Sequence, residues 1–330
     1  MWYTALIALD ALIFWSASQL ALFLLALIGL PVRTWLSIAA RWLEHVWVPH
    51  SIVEILEHGS PVACIVVLYY MAGQLPRSAA FCHSQLWERM RREHFGMRWK
   101  QLSADGDSYD DMEPDKFPHV VSDAPIMYAV APHSMHAEHL IMGMCLNPLF
   151  DSVSVICTSL LFWIPIVREC TALAGSVPAN TVDIMEQLEE HKRSVAIVPE
   201  GLRGTLHGPG HGTLKVLRGI KDECAPRRGF VRCAFTAKGG PVPIVPVYVH
   251  GCEQLYNVWM PWLWMQKLTL KRFYYPWPMI YLGWWGTFWP KRCKLTFCFG
   301  APIVPSKTDS VETVHERFCE AMEQLITKKP

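Results

Sequence analysis

Two short stretches bring together side chains that can move a proton and hold charge. In Ala131-Pro132-His133-Ser134-Met135-His136-Ala137-Glu138-His139 a histidine precedes a carboxylate by five positions, and Pro199-Glu200-Gly201-Leu202-Arg203-Gly204 sets an acid three positions before a base. A neutral imidazole near its ordinary pKa can take the proton of an alcohol as that alcohol attacks. Glu138, on the first turn of a following helix, can reach back to the other ring nitrogen of His133 and fix its tautomer, as the third member of a triad does. Glu200 is a candidate to bind a substrate hydroxyl, and Arg203 to clamp a phosphate or stabilise an oxyanion. The plainer alternatives are a histidine merely exposed in a turn and a Glu200–Arg203 salt bridge in solvent, worth little. His136 and His139 extend the first stretch into a set that resembles metal ligands. No second ligand cluster accompanies it, and ligands this close on one short segment rarely share a tetrahedral face, so no metal is expected.

Both stretches follow apolar runs. Residues 126–130 read as a buried strand stopped by Pro132, after which a helical pattern resumes through Leu140 and Met144; residues 195–198 read as a second strand. His133 therefore falls in a strand-to-helix turn, where α/β folds expose catalytic side chains and the first amides of the helix face developing negative charge. Further strands are expected at 153–157, 243–249 and 294–299. Helices are expected after the His133 turn as far as 147, and over 160–167, 181–190, 229–238 and 310–326, with Asn180 capping through its spacing to Asp183. Such alternation predicts a layered α/β fold with a largely parallel sheet. A Gly-rich loop at 201–212 permits close backbone approach to a ligand. Neither a Walker pattern nor a G-x-S-x-G elbow is present, which disfavours a P-loop ATPase and a serine hydrolase.

The chain of 330 residues carries a formal net charge of +1, which argues against nucleic acid as a partner. Its 52% apolar content, 15 Trp and 24 Pro point toward a membrane. Eleven Cys with no C-x-x-C pair suit free thiols in a reducing compartment. Residues 5–30 are long and apolar enough for a transmembrane helix, too long for a cleaved signal peptide and with no basic residue before them. Residues 42–58 read as an interfacial amphipathic helix, and the apolar 61–75 is about half a span, so the two suit a hairpin or re-entrant anchor. The expected division is a membrane anchor at 1–76, a polar connector at 77–115 and a main domain at 116–330. Within that domain 258–290 is an insertion dense in Trp with Lys267, Lys271 and Arg272, as a surface lying at the bilayer interface would be; an aromatic core is the alternative. Arg203, Lys215, Arg218, Arg227, Arg228 and Arg232 make one quarter of the chain basic, which suits phosphates, anionic lipid or simply a solvated face.

Together these pieces resemble the glycerolipid acyltransferase superfamily, most closely its diacylglycerol acyltransferase type-2 branch, which includes monoacylglycerol and wax-ester acyltransferases. Its H-x-x-x-x-D box is matched by His133 and Glu138, with Glu in place of Asp; its His-Pro-His-Gly or Glu-Pro-His-Ser resembles Ala131-Pro132-His133-Ser134. Its Pro-Glu-Gly-Thr-Arg-Ser box is similar to residues 199–204. Arg228-Gly229-Phe230-Val231-Arg232, Val242-Pro243-Ile244-Val245-Pro246 and His250-Gly251-Cys252-Glu253 resemble further boxes of the branch, and the likeness spans residues 125–305. Ala131 departs from the usual His or Glu, and Pro178-Ala179-Asn180 stands where an Arg is common.

The resemblance implies transfer of a fatty acyl group from acyl-CoA, as co-substrate and without a cofactor, to a lipid hydroxyl, with diacylglycerol as the favoured acceptor. It implies His133 as base with Glu138, and Ser134, Glu200, Gly201, Arg203 and Arg228 as substrate-binding residues, with no metal and no covalent enzyme intermediate. Acyl-CoA, the glycerolipid acceptor and membrane lipids are the implied partners, a homo-oligomer is compatible, and the implied place is the endoplasmic reticulum membrane with the catalytic domain facing the cytosol. Its rivals are a lysophospholipid or glycerol-phosphate acyltransferase and a non-catalytic lipid-binding membrane protein.

Overall fold

Short runs rich in Val, Ile and Ala form the centre of one eight-stranded sheet. The computed structural model describes residues 76–330 except 104, 123, 135–136, 164–166, 222, 261, 274–279, 288 and 307. The expected membrane hairpin lies outside the described residues. The strands are β1 (Arg98–Leu102), β2 (Tyr109–Asp111), β3 (Met127–Ala131), β4 (Val153–Cys157), β5 (Val177–Pro178), β6 (Ser194–Ile197), β7 (Ile244–His250), β8 (Asn257–Trp259), β9 (Ile280–Leu282) and β10 (Thr296–Phe299). The large sheet runs β2-β1-β10-β7-β3-β6-β4-β5, and β8 pairs with β9 as a separate ribbon.

From β7 through β3, β6 and β4 to β5 every pairing is parallel, while β10 is antiparallel to β7. Every residue of β3 is buried, and so are the first six of β7. Burial on both faces is why these strands read as unbroken apolar runs instead of alternating ones. The fold is thus mixed α/β with a mostly parallel sheet, as the alternation of elements predicts.

Segment 77–115, expected as a polar connector, supplies the sheet edge instead. Its strand β1 lies parallel to β10, and Trp99, register partner of Phe297, stacks on that ring at 6.1 Å. Strand β1, Arg-Trp-Lys-Gln-Leu, sits one place in from the edge strand β2, and both are polar because they are only partly covered, which disguises them as connector. The helix expected after the His133 turn as far as 147 is broken into a helical turn Glu138–Leu140, a π-helical turn Ile141–Cys145 and a 3-10 turn Pro148–Phe150. Asn147 and Pro148 end the run, Asn147 Oδ1 accepting from the Leu149 N–H at 3.2 Å. In place of a helix over 160–167 there is a 3-10 turn Ser159–Trp163 and a helix Val167–Leu173.

The segment 201–212 is not a loop throughout: a 3-10 turn Gly201–Arg203, a helix Gly204–His207 and the start of a helix His211–Arg218 occupy it. Helix Thr181–Glu189 is capped as its sequence suggests, Asn180 Oδ1 accepting from Asp183 N–H at 2.9 Å, and helix Val311–Thr327 is capped by Ser310, whose Oγ accepts from Thr313 N–H at 3.1 Å. The helices over 181–189, 211–218 and 311–327, with a further helix Gly229–Thr236, bury Leu188, Leu217, Phe230 and Phe318 in one core with Ile244 of β7. Removing a buried ring such as Phe318 costs ~3–5 kcal/mol. No helix among the described residues is long and apolar enough to cross a membrane.

Candidate active site

The site forms where two neighbouring strands end. β3 and β6 are parallel, with Ala129 level with Ile197, so the chain leaves both at the same carboxyl edge. Pro132-His133 follows β3 there and Val198-Pro199-Glu200 follows β6, which brings together boxes far apart in the chain.

His133 is half-buried in the turn, and its Nδ1 lies 3.0 Å from the carbonyl oxygen of Ser134. A carbonyl only accepts, so this contact puts the ring proton on Nδ1 and the lone pair on Nε2. The expected direct hold of Glu138 on the ring is replaced by an indirect one. Ser134 Oγ donates to Glu138 Oε2 at 2.7 Å, so Ser134 links the carboxylate to the histidine through its two oxygens. Glu138 opens the short Glu138–Leu140 helix and is buried. Tyr256 lies beside it, its hydroxyl pKa driven up first by burial and then by the Glu138 carboxylate. Ser134 (φ 50°) and Ala137 (φ 54°) both adopt the left-handed region, which costs roughly 1 kcal/mol each without a glycine. The Ser134–Glu138 hydrogen bond bridges these two positions and holds the turn.

Glu200 is fully buried, and its Oε1 accepts the main-chain N–H of His133. Burial pushes its carboxyl up to about 7, against the pull of that N–H, the Thr213 hydroxyl and the Arg227 guanidinium. Gly201 turns in the left-handed region (φ 58°), where a side chain would also press on Arg227, its Cβ lying 3.1 Å from Nη2. Arg203 is half-buried and close enough to Arg227 that, after burial, it is the main influence lowering the Arg227 pKa. Two guanidinium groups close enough to influence each other make this end of the site electropositive, as an anion requires.

Arg228, the other expected substrate contact, is turned elsewhere. Its Nη1 donates to Glu312 Oε1 at 2.6 Å on the closing helix. Arg227 takes its place, and the Arg-Arg doublet was the available signal; Glu312 on the closing helix holds Arg228 away, while Arg227 lies against Gly201. His139 is wholly buried near Phe297, with its pKa pushed down to about 3 by burial and then by His133, so it stays neutral. His136 lies outside the described residues, and among the described residues no group of three or more His, Cys, Asp or Glu is placed to hold a metal ion. An open groove of about 520 Å3 lined by Arg218, Ile220, Lys221, Glu223 and Pro226 contains none of these groups; its acid, Glu223, is tied to His207 and Lys267 at 2.8 Å each.

A family model described as diacylglycerol acyltransferase matches residues 125–329, which take in both loops and the closing helix. The chain belongs to the diacylglycerol acyltransferase family. It is an acyltransferase, and the family implies an acyl donor and a lipid acceptor. Among solved structures, the crystal structure of the 1-acyl-sn-glycerophosphate (LPA) acyltransferase PlsC from Thermotoga maritima is similar at 13% identity with a TM-score of 0.41, over 89% of this chain and 96% of that one. This diacylglycerol acyltransferase family member also carries an exposed apolar surface. Trp259 (63% exposed), Trp262, Trp264 (65%) and Trp285 (73%) face outward, with Leu263 and Leu268 of the helix Leu263–Phe273. Trp284 and Trp289 of the same segment are half-buried against His94, so among the described residues 258–290 combines exposed indoles with packed ones.

Proposed function

We propose that the chain transfers a fatty acyl group from acyl-CoA to the free hydroxyl of diacylglycerol, with His133 as the general base. The observation that carries this reading is the His133 ring, with its Nδ1 proton held by the Ser134 carbonyl and its neighbour Ser134 bonded to Glu138. Nε2 takes the hydroxyl proton as the acceptor oxygen bonds to the thioester carbonyl carbon. The buried Glu138 carboxylate, acting through Ser134, stabilises the imidazolium that results. When the C–S bond breaks, the thiolate of CoA leaves and takes the proton from His133, so the base is restored without an acyl-enzyme or a metal. The Arg203–Arg227 pair holds phosphate of the donor.

The acceptor dissolves in lipid, and the Trp259–Trp285 surface suits the interface, where indoles sit among headgroups and Lys271 and Arg272 meet lipid phosphates. With the apolar N-terminal 1–76, this makes a two-point attachment to the endoplasmic reticulum membrane with the site on the cytosolic side. A second reading, acylation of lysophosphatidic acid, draws on the same guanidinium pair, which could hold an acceptor phosphate. Purified full-length protein given labelled oleoyl-CoA in vesicles separates the two. Triacylglycerol formed from diacylglycerol supports the first; product only from lysophosphatidic acid replaces it with the second.

A further inference from the structure

We propose that Glu200 is a positioning residue that fixes the His133 loop through the His133 main-chain N–H and does not contact the acyl acceptor. This rests on the reading of His133 as base. An acceptor hydroxyl needs a lone pair that faces the site, yet Glu200 has no exposed surface and its second oxygen, Oε2, is sealed as well. Its Oε1 is already committed to the His133 N–H.

The sequence around it is shaped to allow that commitment. A Cβ on Gly204 would sit 2.4 Å from the Glu200 carboxyl carbon and 2.5 Å from Oε1. Only a glycine four positions on lets the side chain fold back over the start of its own helix to reach the neighbouring loop. Thr213, fully buried, and Arg227 lie against the carboxyl, and the Tyr248 hydroxyl and Cys252 thiol feel its charge. A buried acceptor set on the loop amide of the base holds that base without touching a substrate. Its removal frees the turn that carries Nε2, and a displacement near 1 Å costs on the order of 100-fold in rate.

The test compares Glu200→Ala, Glu200→Gln and Gly204→Ala in the full-length protein, with steady-state kinetics and hydrogen exchange at the amide of residue 133. Glu200→Ala and Gly204→Ala should lower kcat by about 100-fold, with KM for acyl-CoA and acceptor moved by less than about 3-fold, because the loss falls on the transition state alone. Exchange at residue 133 should accelerate in both. Glu200→Gln keeps an oxygen that can accept, so it should retain slow exchange and recover most of kcat, while the ionisation near 7 drops out of the pH profile of kcat.

A raised acceptor KM with kcat kept, or unchanged exchange in Glu200→Ala, would overturn the proposal. Because Glu200→Gln preserves shape, it decides the case even if Glu200→Ala unfolds: slow exchange with unchanged KM supports the clamp, and a raised acceptor KM defeats it. Wild-type activity in His133→Ala would remove the base reading alone, since fast exchange in Glu200→Ala would still show the clamp.

Discussion

The main-chain N–H of His133 donates to Glu200 Oε1, so the loop after β3 and the loop after β6 behave as one unit. Parallel pairing of the two strands sets their ends side by side, and the buried carboxylate then ties them. The group proposed to move the proton is held by an acid that never meets solvent.

His133→Ala should lower acyl transfer by ~10²- to 10⁴-fold, the usual contribution of a general base. The residue sits half-buried in a turn, so thermal stability should change little. Near-normal turnover in membranes carrying the variant would remove His133 from the chemistry.

Ser134→Ala should mimic Glu138→Gln, because each weakens the 2.7 Å link that joins the carboxylate to the turn. Both should cost less than His133→Ala, and the double variant should lose less than the sum of the two, as members of one network do. Strictly additive losses would show that Glu138 acts on the site by another route.

The two neighbouring arginines should separate. Arg227→Ala, which breaks the pair with Arg203, should raise the KM for acyl-CoA. Arg228→Ala should leave kinetics unchanged and cost at most about 1 kcal/mol in stability, since its bond to Glu312 lies at the surface. Equal kinetic effects from the two would contradict the inward orientation of Arg227 alone.

Acid should destabilise the domain through His139. Its folded pKa lies below its unfolded one, so the stability it contributes is whole above 6.5 and is lost as pH falls from 6.5 toward about 3. Over that window the loss amounts to several kcal/mol in order of magnitude. His139→Leu should flatten this limb in denaturant titrations run across the range; an unchanged slope would assign the acid sensitivity to other groups.

Trp264→Ser with Trp285→Ser should impair use of long-chain diacylglycerol in vesicles more than that of a short-chain acceptor in solution. Both side chains are mainly exposed, so folding should be unaffected. Equal kinetics for both acceptors in variant and wild type would leave this surface without a part in acceptor capture.

The amino-acid sequence by itself determined the family, the largely parallel α/β sheet and the two loops that hold the acid and base groups. Those features follow from local pattern: apolar runs of strand length, a proline stop, a cap at Asn180, and short boxes readable without knowing their neighbours. Tertiary structure decided the rest. Spacing suggested that Glu138 would hold the His133 ring, but two left-handed residues turn the chain so that Ser134 stands between them. An acid beside a glycine and a base looked like a substrate contact; strand order buries Glu200 against the backbone of residue 133 instead. Arg227 and Arg228 are indistinguishable as letters, and only the packing of the closing helix, which offers Glu312 to one of them, turns the other toward the site. Segment 98–111 reads as a connector because an edge strand buries too little to show an apolar period. In each case the deciding contact joins residues distant in the chain, and their placement depends on the sheet as a whole.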